Sequence, residues 1–535
     1  MADGPTPPLR ELATVLIEEP PPSSAASSTV TMMNSAIGAG ILTLPYAFRC
    51  TGWVAGLACI AAVAALMSFT LYILSRFAEH TGSKTYGALV HTMLGKQASI
   101  GMGAVKFLFL FGGCTSYLMI LGDSFHPLLL QAFGERWWTG RDAAIIAVGT
   151  ICIFPLCLRT SLGGLKGEAR PHRCTVLPRS TQATRSLSVS SMAVSSIVVV
   201  VGAVLFSSVR RIRRPEHSWE GVRAFNPSLE FFGALPLIIF SFVCHHNVIS
   251  VFNELESHPS LFRPSARRGA AAAARGPQQQ QQEQQGQERQ GPVTSYESLP
   301  SPLALSQRSM RHLKSSKLRG MVWVIAVSMS LVALLYCTIG LAGYLAFPAD
   351  ANPDILVSFG CTNMLMQVAR ASIGLVLIAS YPVVHFPARA AISELLHHAT
   401  GRQFVGKAFI GAEAVVFFAS TLAIAVRCTD LGIVFKLIGG TCGAMLVLAL
   451  PGALLMQYAC SKHRDARQPL ALLREPLLVA AAEEGGGSNG GSAVTWRVYS
   501  LWCSRLFWGG LALQLLAAAV AVLSVATILW DLPSA

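Results

Sequence analysis

Charged residues are scarce in this 535-residue chain: 13% of the residues are Asp, Glu, Lys or Arg, while 52% are hydrophobic. Soluble domains carry about 25% charged residues, so the composition excludes an ordinary soluble protein and predicts an integral membrane protein. The thirteen cysteines form no Cys-x-x-Cys pair and no zinc-binding spacing. Walker A, His-Glu-x-x-His and complete Gly-x-Gly-x-x-Gly motifs are also missing. We therefore expect no enzyme, no metal-centred module and no cofactor.

Apolar segments of about 20 residues recur along the chain, and this is the length that a helix needs to cross a bilayer. Polar, charged or Pro/Gly-rich stretches separate them. The pattern predicts an all-α integral membrane protein with eleven transmembrane helices. The predicted spans are 30–49, 53–77, 100–124, 143–159, 188–208, 231–251, 320–346, 364–385, 407–426, 431–456 and 504–530.

A membrane domain at 29–530 is predicted to follow a polar, Pro/Ser-rich N-terminus at 1–28, which we expect to be disordered and cytosolic. Three cytosolic loops are too polar to bury an apolar core, and we expect disordered insertions there: 161–187, 257–318 and 475–496. Most loops rich in Lys and Arg lie on this side, which predicts a cytosolic N-terminus; the arginines at 210–223 argue against it. Topology thus explains the net charge of +14, and no binding to nucleic acid is expected.

The first apolar segment contains residues that a plain membrane anchor avoids: Asn34, Gly38, Gly40 and Pro45. Gly lowers helix stability by about 1 kcal/mol and Pro by about 3 kcal/mol, so we expect an interrupted helix. Freed backbone groups are tolerated in a membrane where they face protein or a wet cavity. Such interruptions indicate the substrate site in secondary transporters. Close packing of another helix against the glycines is the alternative explanation.

A second irregular stretch lies in the sixth predicted span, where Gly233 and Pro236 precede the segment from Phe240 to Val248. The two stretches occupy corresponding positions in two sets of five spans. Because five is odd, a copy of the first set would cross the membrane in the opposite direction. The spacing therefore predicts a five-plus-five inverted repeat with broken helices 1 and 6.

No charged residue occurs between Val30 and Phe48, so a site in the first stretch would be built from backbone groups. Free N–H groups at a half-helix N-terminus attract an anion, and free carbonyls at a half-helix C-terminus attract a cation. Such a site suits both charges of an amino acid. The predicted substrate-binding residues are Ser35, Ala36, Ile37, Gly38, Ala39, Gly40, Ser241 and His246.

Asn34 in the first span is a candidate cation ligand through its hard amide oxygen, and Ser380 and Ser372 in the eighth span offer hydroxyls. Of these, Asn34 and Ser380 are the predicted cation-binding residues. A hydrogen bond to its own helix is the alternative for the Ser380 hydroxyl. His245 and His246 would point about 100° apart on a helix. One of them is a candidate proton carrier, and a structural role is the alternative. Lys106 is expected to extend to the inner membrane interface.

Four parts of the chain resemble the amino acid/auxin permease family, especially its sodium-coupled neutral amino acid transporters and plant vacuolar amino acid transporters. They are Asn34 to Ala47, Ile120 to Asp123, Cys244 to Val248 with Asn253 to Glu256, and Tyr381 to Arg389. The resemblance implies a leucine-transporter-like fold with substrate bound midway at broken helices 1 and 6. It also implies that Asn34 and Ser380 bind a cation and that Ser35 to Gly40 line the substrate. Branches of the family couple to Na⁺ or to H⁺, so both ions are candidates.

Together these features predict a secondary active transporter for amino acids, neutral ones foremost, that works by alternating access with Na⁺ or H⁺ coupling. One alternative is a membrane sensor that binds amino acids without net transport, with the 257–318 loop as its effector arm. Another is a proton-coupled exporter on a vacuolar membrane. The expected partners are the amino acid and the bilayer of a plasma membrane or of a vacuolar or lysosomal membrane.

Overall fold

The structure is a computed structural model that describes residues 23–158, 180–255, 302–360, 363–402, 406–465 and 505–531. The regular structure of these parts is helical, and one isolated β-bridge joins Ser23 to Leu255. The first helices are α1 (Ala25–Ala36), α2 (Leu44–Thr51), α3 (Trp53–Thr81), α4 (Tyr86–Leu94), α5 (Lys96–Phe133), α6 (Arg141–Val148), α7 (Phe154–Cys157) and α8 (Ser180–Ile212). The later helices are α9 (Glu230–Ser241), α10 (His245–Glu254), α11 (Pro302–Ala346), α12 (Ile355–Ser358), α13 (Met364–Thr400), α14 (Lys407–Arg427), α15 (Leu431–Ile438), α16 (Leu450–Asp465) and α17 (Arg505–Asp531).

Nine helical stretches within the described residues are long and apolar enough to cross a membrane. Each overlaps one predicted span, and the predicted spans 30–49 and 143–159 have no such counterpart. The prediction of an all-helical, multi-pass membrane protein is confirmed at this level, while the count of eleven stays a prediction. The nine stretches are Trp53–Thr81, Lys96–Phe133, Val194–Ile212, Glu230–Glu254, Lys317–Ala346, Met364–Thr400, Ala408–Arg427, Leu431–Ser461 and Arg505–Trp530.

The two spans without a counterpart are built from shorter helical pieces. The first contains α1, a 3₁₀ turn at Ala39–Thr43, and α2. In the other, α6 passes through a π-helical turn at Gly149–Ile153 into α7. Pro155 lies in the first turn of α7, and it lacks the N–H group that a continuous α-helix would use there. Both spans therefore lack a long, continuous helix.

Apolar side chains cover the outer surface of the helix bundle. On α17, for example, Leu515, Val522 and Leu529 are 64%, 68% and 61% exposed. Soluble monomers rarely expose large continuous apolar patches, whereas the hydrocarbon core of a bilayer suits them. These faces are the ones that contact lipid.

The first helix begins within the segment 1–28 that was predicted to be disordered. α1 begins at Ala25, and the side chain of the preceding Ser24 accepts a hydrogen bond from the N–H of Ser27. A serine in this position satisfies one of the N–H groups that have no partner at a helix start. The helix therefore begins before the predicted boundary at residue 29, and residues 1–22 of the predicted segment lie outside the described residues.

Helices begin inside two of the three predicted loop insertions. α8 begins at Ser180, inside the predicted insertion 161–187, and α11 begins at Pro302, inside 257–318. A helix that is stabilised by packing in the membrane continues into polar sequence, because each further residue adds a backbone hydrogen bond. The third insertion, 475–496, lies outside the described residues.

Packing between the helices leaves a space beside the interrupted elements. α5 packs along α13, and α11 packs against α1, α2 and α3. Gly374 of α13 permits the close approach to α5, since a Cβ atom there would lie 2.6 Å from the Phe125 ring. α8 packs against α13 and α11. Together with α10, these helices position the candidate site.

Candidate functional site

The first interruption separates α1 from α2. α1 ends at Ala36, and Gly38 adopts an extended conformation with φ −106° and ψ −158°. The 3₁₀ turn Ala39–Thr43 follows and leads into α2, where Pro45 lies in the first turn. The N–H groups that begin a helical turn have no partner within it. This turn therefore presents free N–H groups directly after Gly38.

The second interruption separates α9 from α10. α9 ends at Ser241, residues 242–244 are not helical, and α10 begins at His245. Gly233 and Pro236, which the sequence indicated as part of the irregular stretch, both lie inside α9. The helix thus ends after these residues, at a point where the sequence has neither Gly nor Pro.

Ser241 joins the second interruption directly to the first. Its hydroxyl lies 3.1 Å from the carbonyl oxygen of Gly40 and 2.9 Å from that of Leu237. A Cβ atom at Gly40 would lie 2.5 Å from Ser241 Oγ and 2.9 Å from Ser241 Cα. Glycine is needed at position 40 because the two chain segments approach so closely.

Tyr336 of α11 joins the two interruptions a second time. Its hydroxyl lies 2.9 Å from the carbonyl oxygen of Ala36, the last residue of α1, and 2.7 Å from that of Ser241, the last residue of α9. The side chain is fully buried. One phenolic proton thus serves two carbonyl acceptors. Nothing in the sequence around Tyr336 indicated this contact.

A cavity of about 370 Å³ lies beside the two interruptions. All ten residues that the sequence predicted for substrate or cation binding line its wall. These residues are Asn34, Ser35, Ala36, Ile37, Gly38, Ala39, Gly40, Ser241, His246 and Ser380. The structure therefore brings together residues from α1, the 3₁₀ turn, α9, α10 and α13; that they bind substrate or cation stays a prediction.

The rest of the cavity wall comes from α5, α8, α10 and α13. It is mostly apolar, with residues such as Phe109, Val200 and Leu377, and the hydroxyl of Tyr117 adds a polar group. Asn247, also in the wall, donates a hydrogen bond of 2.8 Å to the Ser35 hydroxyl. Apolar walls with a few polar groups are typical of small-molecule sites.

Lys106 also lines the cavity, although the sequence analysis expected it to extend to the membrane interface. Its position on α5 points it toward the enclosed space instead. Among the described residues that line the cavity, Lys106 is the one Lys or Arg, and no Asp or Glu is present. The cavity therefore carries a positive charge and no fixed negative charge.

The two candidate cation ligands lie in the same cavity wall. Within the described parts of the chain, neither the Asn34 amide nor the Ser380 hydroxyl makes a hydrogen bond, so their oxygen lone pairs remain available. Ser380 in particular does not bond to its own helix, which was the alternative for this residue. Both oxygens are hard ligands of the kind that small cations prefer.

The two adjacent histidines face different surroundings, as expected for neighbours on a helix. His245 is fully buried, and its Nε2 lies 2.8 Å from the Thr70 hydroxyl of α3. His246 lines the cavity, and its shielded Nδ1 has no hydrogen-bond partner among the described residues. His245 is thus held by the packed helices, whereas the His246 side chain forms part of the cavity wall.

Dense packing closes the cavity on the α2 side. The rings of Phe240 and Phe435 stack with centroids 4.4 Å apart, and Leu42 is 1% exposed. In the other direction the lining extends along α10 to Asn247 and along α13 to Pro387. The cavity therefore extends toward one face of the bundle.

Helices long and apolar enough to cross a membrane, with an internal cavity beside two chain interruptions, define this chain as a membrane protein with an enclosed cavity. The sequence profile of a family described as transmembrane amino acid transporter protein matches residues 21–169, 174–272 and 305–472. The chain therefore belongs to the family of transmembrane amino acid transporters. This membership confirms the predicted family and the expectation of a transport protein and not an enzyme.

Relatives of known description are similar over most of the chain. Sodium-coupled neutral amino acid transporter 7 of Danio rerio is 24% identical over 450 residues, which cover 81% of this chain and 78% of that protein. The human protein of the same name is 23% identical over 455 residues, with 82% and 79% covered. Vacuolar amino acid transporter 2 of Saccharomyces cerevisiae is 24% identical over 440 residues, with 79% and 74% covered.

One solved structure, described as the inward facing conformation of Mhp1, is similar to this chain in the structural comparison. It is 13% identical, covers 97% of this chain and 95% of its own, and gives a TM-score of 0.47. A likeness at this score does not establish a shared fold. The leucine-transporter-like repeat therefore stays a prediction.

Proposed function

We propose that this protein is a secondary active transporter that carries amino acids, neutral ones foremost, by alternating access. The observation that supports the proposal is the single cavity that both interruptions line, with no charged side chain at the interruptions themselves. Family membership makes amino acids the substrate class. Relatives named for sodium-coupled neutral amino acid transport and for vacuolar amino acid transport support the narrower choice.

In this proposal, backbone groups bind the common part of every amino acid. The N–H groups at the start of the 3₁₀ turn after Gly38 form the positive end of a helix dipole. They therefore favour binding of the α-carboxylate. Carbonyl groups at the ends of α1 and α9 favour the ammonium group. Because backbone dipoles carry no net charge, they avoid the cost of about 2.5–3.5 kcal/mol or more for each charged side chain in the membrane.

The proposal also includes the finer fold. We infer eleven crossings, with residues 25–51 as the first and α6 to α7 as the fourth. The first five and the next five crossings would form an inverted repeat, with α17 as the eleventh. With a cytosolic N-terminus, the face toward which the cavity extends is the inner face. The structure would then represent an inward-facing state.

Transport is tested by reconstitution in liposomes with labelled glutamine, alanine or glutamate. Uptake is measured with an inward Na⁺ gradient, with an inward H⁺ gradient and with neither. We expect uptake of at least one neutral amino acid that depends on one of the two gradients. No uptake of any amino acid above that of empty liposomes would contradict the proposal.

Coupling to Na⁺ is proposed through Asn34 and Ser380, whose oxygens line the cavity without other partners. Substitution of either by Ala should raise the Na⁺ concentration needed for half-maximal uptake, by about tenfold for the loss of one ligand worth about 1.4 kcal/mol. Ser372→Ala is the matched control, because Ser372 lies on the same helix, outside the cavity wall. An equal loss of protein level and of Na⁺ dependence in Asn34→Ala would make Asn34 structural.

Coupling to H⁺ is the second candidate, and the position of His246 in the cavity wall favours it. A proton carrier must reach the cavity, and the Nδ1 atom of His246 has no partner among the described residues. His246→Gln should then shift the pH profile of uptake. His245→Gln, at the buried neighbour, should lower protein stability without such a shift.

A further inference from the structure

Lys106 is a charged group in the cavity that the backbone site does not use. It lies on α5, lines the cavity, and makes no hydrogen bond or ion pair with any described residue. The carboxylate of Glu394 on α13 interacts electrostatically with Lys106. It lies outside the cavity wall, and its Oε1 atom lies 4.0 Å from Nε2 of His398. Charged side chains at membrane depth are costly, and they usually serve a ligand.

Two further polar groups in the same wall also have no partner within the described residues. The hydroxyl of Ser196 on α8 is buried, with the residue 6% exposed. The Nδ1 atom of His246 on α10 is shielded as well. Buried polar groups are almost always hydrogen-bonded in proteins. These two buried groups and the partly buried Lys106 ammonium, on three helices of the same wall, therefore indicate where a polar ligand group would bind.

The chemistry of these groups selects the ligand. An ammonium group has donors and no acceptor, and a serine hydroxyl has one donor. Such a cluster binds an oxygen acceptor, and a carboxylate binds best because a bond between two charged groups is roughly twice as strong as a neutral one. A cationic side chain at this cluster would be repelled, since no carboxylate lines the cavity to offset Lys106.

We propose that Lys106, with Ser196 and His246, forms a subsite for the substrate side chain that takes a carboxylate. The protein would then carry acidic amino acids in addition to neutral ones and reject cationic ones. This inference rests on the proposed transport function and concerns the far end of the substrate, opposite the backbone groups at the interruptions.

The test compares wild-type protein with Lys106→Met, Lys106→Arg and the control Lys96→Met in liposomes. Lys96 lies on the same helix but is exposed at its start, outside the cavity wall. Initial uptake of labelled glutamate and alanine is measured, with lysine as a competitor. We expect Lys106→Met to lower the glutamate-to-alanine ratio about tenfold, as for the loss of about 1.4 kcal/mol. Lys106→Arg should keep most of the ratio, and Lys96→Met should not change it.

Several outcomes would overturn the subsite. One is alanine uptake by wild-type protein without glutamate uptake; another is an equal fall of both substrates in Lys106→Met. Inhibition of alanine uptake by lysine as strong as that by glutamate would also contradict it. If Lys106→Met does not fold, the glutamate-to-alanine uptake ratio is measured in Lys106→Gln instead, with the same expected fall.

A binding measurement separates this inference from the transport proposal. The melting temperature of detergent-purified protein is measured with glutamate and with alanine. Stabilisation by glutamate that disappears in Lys106→Met would support the subsite even if no liposome shows uptake, and the transport proposal alone would then fail. Absence of stabilisation by glutamate in wild-type protein, with stabilisation by alanine present, would overturn the subsite alone. Absence of both uptake and stabilisation would overturn both.

Discussion

At the first interruption α1 ends beside two glycines, whereas at the second α9 ends at Ser241, where no Gly or Pro lies between Leu237 and His245. The first stretch has weak helix propensity of its own. The second has apolar residues that would continue a helix, and the chain leaves the helical path only where Ser241 meets Gly40 and Tyr336. Local chemistry thus favours the first break, and contacts with other elements hold the second.

The two interruptions therefore differ in the interactions that stabilise them. At the second, the Tyr336 hydroxyl satisfies the Ser241 carbonyl, and the Ser241 hydroxyl links this segment to the Gly40 carbonyl of the first. A buried carbonyl without a donor costs about 1–3 kcal/mol. We therefore expect the second interruption, and the contact between the two, to be the more sensitive to single substitutions.

The largest effect is expected for Gly40→Ala. The new Cβ atom would lie 2.5 Å from Ser241 Oγ and 2.9 Å from Ser241 Cα, so the two interruptions must move apart. Overpacking of this kind costs about 1–3 kcal/mol, and we expect uptake to fall by at least about tenfold. Gly202→Ala is the control, because Gly202 lies on α8 outside the cavity wall and no atom lies within 4 Å of its Cβ position. Equal uptake by the two variants would show that the close contact is unimportant.

A smaller effect is expected for Tyr336→Phe, which removes the hydroxyl that serves Ala36 and Ser241. The melting temperature should fall as expected for about 1–3 kcal/mol, and uptake should fall several-fold. Tyr344→Phe on the same helix is the control: its hydroxyl lies 3.0 Å from the Gly221 carbonyl, away from the cavity. If Tyr344→Phe reduces uptake as much as Tyr336→Phe, the hydroxyl of Tyr336 has no special part in joining the interruptions.

Asp354 provides a titratable group outside the cavity wall. It is 1% exposed and caps α12 by accepting a hydrogen bond of 2.9 Å from the Leu356 N–H. Burial, and next the charge of Asp123, raises the pKa of its carboxyl group to about 7.

A carboxyl group whose pKa is higher in the folded state stabilises the fold while it is protonated. We expect the melting temperature in detergent to be highest below the ordinary aspartate pKa and to fall as the pH rises through about 7. Asp354→Asn should flatten this profile while leaving the pH dependence of uptake in place. A profile of the same slope in wild type and variant would assign the titration to another group.

The smallest effect is expected for Pro236→Ala. The proline lies inside α9, so the break of the helix after Ser241 does not depend on it. Uptake should stay within about twofold of wild type, as for substitutions that leave buried contacts intact. A loss as large as that of Gly40→Ala would show that the proline, and not the tertiary contacts, sets the second interruption.

Part of this description follows from local sequence. Runs of apolar residues predicted the nine helical stretches of the described residues that are long and apolar enough to cross a membrane, because the bilayer demands a set length of apolar helix. The interruption between Asn34 and Pro45 was also predicted from the sequence, because the effects of Gly and Pro on helix stability are local. The fragmented stretch at 143–159 was read as one continuous span, because a count of apolar residues does not detect a π-helical turn.

Other features depend on partners that are distant in the sequence. Tyr336 contacts Ala36, which lies 300 positions away in the sequence. No local sequence pattern therefore predicts this contact. Lys106 was assigned to the membrane interface because a lone lysine in a span usually extends there. Its place in the cavity depends on how α5 is rotated against α8 and α13.

For this protein the sequence by itself determined the membrane class and the site of the first interruption, because these depend on composition and on the chemistry of single peptide units. The family followed from the resemblance of four parts of the chain to known transporters. Only the tertiary structure decided where the second helix ends, which hydroxyl joins the two interruptions, and which charge lines the cavity. Those features arise from the packing of helices against one another, and packing depends on side chains that lie far apart along the chain.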